Sequence, residues 1–412
     1  MPDADVLVVG AGPAGAVAET LLARAGARVR LLDREAFPRG KLCGDSLNPG
    51  ALSLLRQWRL PIDTSSATRV RGMIVTGDVR PLHRHADDVV TRTAGRGTSR
   101  GVEITGSYPG DVHGLVLSRR HFDAMLLAHA LDAGVEFEPG VRVAAPVCGT
   151  GGRVVGVDVA AGTSRARLHA PVVIAADGRQ SRIARPLGLL KTARAPRRWA
   201  IGAYAADVEP PSERTPPGQY GEMHIRPDGY LGVAPLPDGQ TNLCVVTADV
   251  DRRLHDPAAF LLGVFRRDPL LRARMQRARL TTRVTVLGPL AVDSTGQDCE
   301  GVITAGDAAG FIDPMTGDGL RFAIQGGEQA ARAAERVLVS GWDGVHPALR
   351  RERRCAFAGK WCVNRALRRL VASPMAVRAA AAGGRLLPGV VHALIARAGD
   401  VSLVSTVTEP AC

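Results

Sequence analysis

Gly10-Ala-Gly-Pro-Ala-Gly15 lies between a run of buried-strand character, Ala4 to Val9, and an Ala- and Leu-rich helical stretch, Ala16 to Arg24. No other feature restricts the fold so strongly. Glycines at this spacing permit a tight turn at Gly10, close approach of backbone to a pyrophosphate at Gly12, and helix-on-strand packing at Gly15. The helix start then offers free N–H groups and the positive end of its dipole to that anion. A second strand, Val29 to Leu32, closes at Asp33, 18 residues beyond Gly15, where a carboxylate accepts from ribose hydroxyls. Strand, turn, helix and strand joined by short links predict a parallel sheet. The motif alone leaves NAD and FAD both open. The sequence holds no second strand-GxGxxG-helix unit, which disfavours a two-dinucleotide reductase.

Beyond this unit the chain alternates between two textures. The stretch FPRGKLCGDSLN, from Phe37 to Asn48, is too rich in Gly and Pro for an element interior, and a short helix from Gly50 to Trp58 follows. Residues 68–117 alternate as strands, and a helix from His121 to Leu131 leads into a strand from Val135 to Phe137. Val154 to Val159 and Arg167 to Ile174 read as a hairpin returning to the first domain. After turns at Pro210-Pro211 and Pro216-Pro217, the runs Gly221 to Ile225, Tyr230 to Ala234 and Leu243 to Thr247 read as antiparallel strands, and Asp256 to Arg267 as a helix. A buried strand, Val302 to Ala305, a GDAAGF turn and a long helix, Leu320 to Leu338, close the pattern. The expected class is α/β: a Rossmann-like dinucleotide-binding domain with an inserted mixed or antiparallel β-sheet substrate domain and a helical C-terminal extension. Its boundaries are 1–68, 118–195 and 291–345 for the dinucleotide domain, 69–117 and 196–290 for the substrate domain, and 346–412 for the extension.

Composition narrows the function. A formal charge of +13 would suit nucleic acid, but Lys41, Lys191 and Lys360 are the only lysines among 53 basic residues, and the chain is rich in Gly and Pro. That pattern marks a compositional bias that scatters Arg rather than a phosphate-reading surface, so no nucleic-acid partner is expected. The seven cysteines form no CxxC pair or zinc-like cluster and read as reduced thiols, with no metal site. No run of about 18 uncharged apolar residues appears, and Met1-Pro-Asp3 opens without a signal-peptide pattern, so the expected location is cytoplasmic or peripheral to the membrane. In the tail, Phe357, Trp361, Leu367 and Leu370 recur at helical spacing among many arginines. They suit packing against the body, or docking of an acyl-carrier protein or a membrane surface.

Four motifs in order make the chain resemble the flavoprotein family of p-hydroxybenzoate-hydroxylase-like monooxygenases, flavin-dependent halogenases and geranylgeranyl reductases, over most of residues 1–340. The first runs from Val8 to Arg34, where the family binds the ADP half of FAD. SRRHFDAML matches the family's Arg-x-x-Phe-Asp pattern at Arg119 and Asp123, and that arginine would contact the flavin cofactor. IAADGRQSRIAR places Asp177 and Gly178 near the pyrophosphate. In VITAGDAAGFIDPMTGDGLRFAIQGGEQAA, the resemblance puts Gly306 and Asp307 by the ribityl and phosphate groups, and Pro314, Gly317 and Gly319 by the isoalloxazine ring. The loop FPRGKLCGDSLNPGAL is similar to a geranylgeranyl-reductase segment, which implies Arg39, Lys41, Cys43 and Gly44 near the flavin.

Three chemistries share that scaffold. Halogenation is disfavoured because no Trp-x-Trp-x-Ile-Pro element exists here. The leading expectation is an FAD-dependent monooxygenase, reduced by NAD(P)H, that hydroxylates or epoxidises an apolar, aromatic or polyketide-like molecule through a flavin C4a-hydroperoxide. The alternative is an FAD-dependent reductase of the geranylgeranyl-reductase type, acting on a carbon–carbon double bond. The reductases' Tyr-x-Trp-x-Phe-Pro segment becomes Tyr230-Leu-Gly-Val-Ala-Pro235, with Gly232 and Ala234 at the bulky positions. Cys43 and Tyr230 are the candidate catalytic groups, and His224, Arg226 and Asp228 are further candidates for the pocket.

Overall fold

The computed structural model describes residues 1–41, 45–77, 82, 102–193, 197–211, 219–226, 228–248, 255–311, 317–371, 396–397 and 399–401. Cys43, Gly44, Pro314 and the Pro216-Pro217 turn lie outside these residues, as does most of the tail beyond 371.

A five-stranded parallel sheet forms the centre, in the order Val302–Thr304, Val172–Ala175, Val6–Val9, Val29–Asp33, Glu136–Pro139. Val6–Val9 and Val172–Ala175 are continuous apolar runs because both faces are covered. Helices α1 (Pro13–Arg24), α3 (Arg119–Asp132) and α5 (Gly319–Ser340) cover one face. Against the other packs a three-stranded antiparallel sheet of Arg142–Cys148, Val154–Ala161 and Ser164–His169.

The segment Arg167 to Ile174 is therefore not one arm of a hairpin. It divides at Pro171: Ser164–His169 completes the hairpin, while Val172–Ala175 enters the parallel sheet beside Val6–Val9. Proline has no N–H to offer a ladder, which makes it a natural break between two sheets.

The inserted domain is a mixed eight-stranded sheet. Its path runs Arg279–Leu280, Trp199–Ala206, Thr241–Thr247, Gly229–Pro235, Tyr220–Arg226, Gly72–Gly77, Val102–Ser107, and Thr285–Leu287 also pairs with Trp199–Ala206. All pairs are antiparallel except Tyr220–Arg226 with Gly72–Gly77. Trp199–Ala206 carries no alternation of apolar with polar residues, which hid it from a reading by periodicity. Helix α4 (Pro257–Arg267) covers one face of this sheet. Helix α2 (Pro49–Gln57) and the long α6 (Val345–Val371) complete the described elements used below. No helix among the described residues is long and apolar enough to cross a membrane.

Candidate functional site

Helices α2, α3 and α4 start under side-chain caps from Asn48, Ser118 and Asp256. Helices α1 and α5 do not. At α1 the cap position is Gly12, and the only atom within 4 Å of a Cβ built there is an Arg39 guanidinium nitrogen, at 3.7 Å. The flanking glycines are tight instead: a Cβ on Gly15 would lie 1.9 Å from the Gly10 carbonyl oxygen, and one on Gly10 2.6 Å from that of Ala176. The turn is thus closed on the sheet side and open where an anion would meet the helix N–H groups. At α5 the cap residue Asp318 turns its carboxylate away, accepting from Asn48 Nδ2 at 2.9 Å and Lys360 Nζ at 2.5 Å.

Charged side chains gather around the α1 turn. Asp33 is buried and accepts from the N–H groups of Ala11 at 2.7 Å and Glu35 at 2.9 Å, tying the second strand to the turn. Arg34 is exposed beside Glu35 at 3.4 Å. Asp123 is buried and receives Arg119 through two bonds of 2.7 and 2.8 Å and Arg39 at 3.3 Å; Arg39 also lies 4.0 Å from Asp33. Asp123 thereby fixes two guanidiniums, and the fork geometry makes the Arg119 pair rigid. Lys41 is exposed as a residue, while its ammonium is desolvated by the surrounding protein. That desolvation, then Arg119 and Arg39, hold it below the usual lysine range, against the opposing pull of Asp307 and Asp123. Asp177 adjoins the turn through its backbone, and its buried Oδ1 lacks a hydrogen-bond partner. Burial raises its pKa, although the Ser181 hydroxyl and the Arg182 N–H oppose the shift. Gly178 and Gly317, both at positive φ, have nothing within 4 Å of a built Cβ. Asp307 sits in a short 3-10 turn, Gly306–Ala309, and Gly319 begins α5.

The eight-stranded sheet presents its inner face to this cluster. Strand pairing aligns three rows across it: Ala200, Val246, Tyr230 and Ile225; then Gly202, Cys244, Gly232 and Met223; then Tyr204, Asn242 and Ala234. The first row packs against Phe311, which directly follows the GDAAG turn, and Tyr230 is buried there among Ala200, Val246 and Leu290. The middle row is nearly bare, since a Cβ on Gly232 would meet nothing closer than 3.9 Å. It forms a smooth, half-buried apolar strip between two rows that are tied to the dinucleotide domain.

The second tie is Asp45, a residue the sequence reading passed over. It is buried, and its Oδ1 accepts from Arg119 N–H at 3.0 Å and the Tyr204 hydroxyl at 3.2 Å, while Oδ2 accepts from Asn242 Nδ2. Burial pushes its pKa up to about 6 against the lowering pull of Asn242, Arg119 and Tyr204. Burial and Asp45 in turn raise the Tyr204 phenol above its ordinary range.

His224 and Arg226 project from the opposite face, beneath α4, and take no part in the inner strip. His224 Nδ1 meets Thr76 Oγ1 at 2.9 Å and its Nε2 meets Glu222 at 3.0 Å, while Glu222 holds Arg274 through bonds of 2.6 and 2.7 Å. Arg226 pairs with Asp268 at 2.6 Å. Asp228 serves the turn before Gly229–Pro235, accepting from Leu82 N–H at 2.8 Å. In the extension, Lys360, which holds Asp318, also meets Asp400 at 2.7 Å, Arg350 pairs with Asp298, and Arg353 donates to Thr304. These basic residues pair with the body, and Phe357 is buried against Phe322.

The FAD binding domain family matches residues 3–355. The chain belongs to this family. It is an FAD-dependent oxidoreductase. A menaquinone reductase of Mycobacterium tuberculosis is 29% identical over 360 residues, covering 83% of this chain and 79% of that protein. Digeranylgeranylglycerophospholipid reductase 2 of Methanopyrus kandleri is 29% identical over 342 residues, covering 81% and 77%. Among solved structures, the flavin-dependent brominase Bmp2 superposes with a TM-score of 0.77 at 20% identity, over 96% of this chain and 93% of the other. A geranylgeranyl bacteriochlorophyll reductase-like protein from Thermoplasma acidophilum gives a TM-score of 0.72 at 22% identity, over 91% and 89%. Those two likenesses establish the shared fold of this flavoprotein. Its site suits FAD: an uncapped helix start with open space at Gly12, cations from Arg39, Arg119 and Lys41, and the orphaned Asp177 oxygen all lie beside one turn.

Proposed function

We propose that this flavoprotein is an FAD-dependent reductase that saturates a carbon–carbon double bond in an apolar substrate lying along the inner face of the eight-stranded sheet. The reading rests on the polar junction of Asp45, Tyr204 and Asn242 at the rim of an otherwise apolar strip. Saturation adds a hydride and a proton. A carboxyl raised to about 6 beside a phenol puts an exchangeable proton at the rim of the strip. The similar curated relatives are reductases by name, which agrees with it.

In this reading the Gly10–Gly15 turn, Asp33, Arg34, Asp177 and Gly178 hold the ADP half of FAD. Arg39, Lys41, Gly44, Arg119, Gly306, Asp307, Pro314, Gly317 and Gly319 hold the flavin half, Tyr230 walls the strip, and Cys43 is a second proton donor. FAD held there, once reduced by NAD(P)H, would supply the hydride chemistry. Asp123 keeps Arg119 and Arg39 fixed, and Phe311 with Tyr230 closes one end of the strip to water.

One observation favours a second reading, the monooxygenase. Gly232 and Ala234 leave room for a flat ring system where the resembling reductases carry bulky side chains. The two separate in one experiment. Holoenzyme is reduced without oxygen and mixed anaerobically with a panel of prenylated lipids and planar phenols. Reoxidation of the flavin without oxygen, with two hydrogens gained by the substrate, is the expected result. Reoxidation only after air is admitted, with an oxygen atom in the product, overturns it in favour of the monooxygenase.

A further inference from the structure

Asp45 occupies an unusual position. It is 3% exposed and joins three elements: Arg119 N–H at the start of α3, and Tyr204 and Asn242 on two neighbouring strands of the inserted sheet. Its own carbonyl accepts from Leu117 N–H at 2.9 Å, which anchors the segment just before α3. On its other side the chain runs back to Lys41 and Arg39, which crowd Arg119, Asp123 and Asp307. Tyr204 and Asn242 lie in the row bordering the bare strip of Gly202, Cys244 and Gly232. One buried carboxylate therefore connects the substrate face with the cationic cluster beside the dinucleotide turn.

We propose that Asp45 is a positioning residue that holds the Arg39–Lys41 loop and the α3 start against the inserted sheet, so that Tyr204 and Asn242 act on the flavin through it. This rests on the assignment of that loop and Arg119 to the flavin, and not on whether the enzyme reduces or oxygenates. The ionised carboxylate accepts three hydrogen bonds from the two domains. Protonation exchanges part of that acceptor capacity for a donor and so changes the bonding at the junction; because burial outweighs the three donors, the closed junction favours the protonated form, and ionisation strains it. The groups facing Asp45 are Arg119 from α3 and the Tyr204 phenol and Asn242 amide from the sheet. Arg119, Asn242 and Tyr204 all favour the ionised form, whereas burial opposes it. The junction therefore changes state in the range where that balance lies, about pH 6.

The test is a pH titration of the visible spectrum and the FAD dissociation constant of oxidised holoenzyme, without substrate, between pH 5 and 8. The wild type is expected to show one step near pH 6, with FAD affinity changing roughly threefold to tenfold across it, the scale of one hydrogen bond to a charged group. Asp45→Asn removes the step. Tyr204→Phe and Asn242→Leu, which touch no dinucleotide motif, each remove a donor to the carboxylate and move the step to higher pH. A merely structural role for these two sheet residues would leave the midpoint where it was. A wild type with no step, a step that survives Asp45→Asn, or sheet variants that leave the midpoint fixed overturn the proposal. Should Asp45→Asn not fold, the two sheet variants decide alone. The anaerobic reoxidation experiment reads substrate chemistry, so either conclusion can fail without the other.

Discussion

The outer face of the eight-stranded sheet buries charge, and the inner face buries almost none. Beneath α4, the outer face sets Glu222, His224 and Arg226 along one strand and satisfies them with Thr76, Arg274 and Asp268. Across the inner face, the middle row of Gly202, Cys244, Gly232 and Met223 leaves an apolar strip that is only half covered by protein. The difference separates two kinds of burial. Charges enclosed with their partners fix one arrangement of the sheet against α4, and removing one partner leaves the other stranded. A surface that must accept a variable molecule does better with small groups and no polar atoms requiring a fixed partner.

That contrast predicts a ranking of effects. Arg226→Leu should be the most damaging, because it leaves Asp268 buried and unpaired: about 3–5 kcal/mol of unfolding free energy in urea titrations. Arg226→Leu combined with Asp268→Leu should recover most of it. If the single variant loses less than about 1 kcal/mol, the outer face is not the rigid one.

The two faces should also answer pH in opposite senses. Burial pushes Glu222 upward, but Arg274 and His224 outweigh it and hold the carboxyl below its ordinary range. Its stabilising contribution is present above pH 4.5 and disappears as pH falls through the lowered value. Asp45 is raised from 3.8 to about 6, so its contribution runs the other way. The folded state is favoured while Asp45 is protonated, and that advantage is lost as pH climbs from about 4 to 6. Relative to wild type, Asp45→Asn should therefore gain on the order of 2–3 kcal/mol between pH 4 and pH 7. Thermal unfolding across that range checks both signs.

Smaller effects are expected on the inner face. Gly232→Trp fills the strip, so kcat/KM should fall roughly tenfold or more, with little change in FAD affinity or melting temperature. Equal losses of FAD and substrate binding would show that the strip is not separate from the flavin. Cys244→Ala should cost less than about 1 kcal/mol, since the thiol is already half exposed. A large loss there would mean the strip is a packed core.

The dinucleotide turn could be read from sequence because its determinants are local. Three glycines, a following helix and a carboxylate 18 residues on define one supersecondary unit, and the structure joins Asp33 to Ala11. Asp45 could not be found that way. In the sequence it is one letter of a Gly-rich loop, and its partners lie 159 and 197 residues ahead. His224 and Arg226 show the opposite failing. Alternation along their strand puts Glu222, His224 and Arg226 on one face, but nothing local says whether that face meets a ligand or a helix. The answer came from Asp268 and Arg274, 42 residues beyond Arg226 and 52 beyond Glu222. A charge-rich stripe on a strand flanked by apolar alternation is as consistent with a closed ion-pair ladder as with a pocket.

Gly399 accepts from the N–H of Gly50 at the start of α2, and Asp400 meets Lys360 and Arg321. During synthesis, then, the chain cannot finish its dinucleotide domain in order of emergence. The Val6–Val9 strand waits for Val172–Ala175, which waits for Val302–Thr304, and the start of α2 waits for residue 399. A ribosome that has made three quarters of this protein holds a sheet with an unfilled edge, and the residues that clasp the start of α2 have yet to be synthesised.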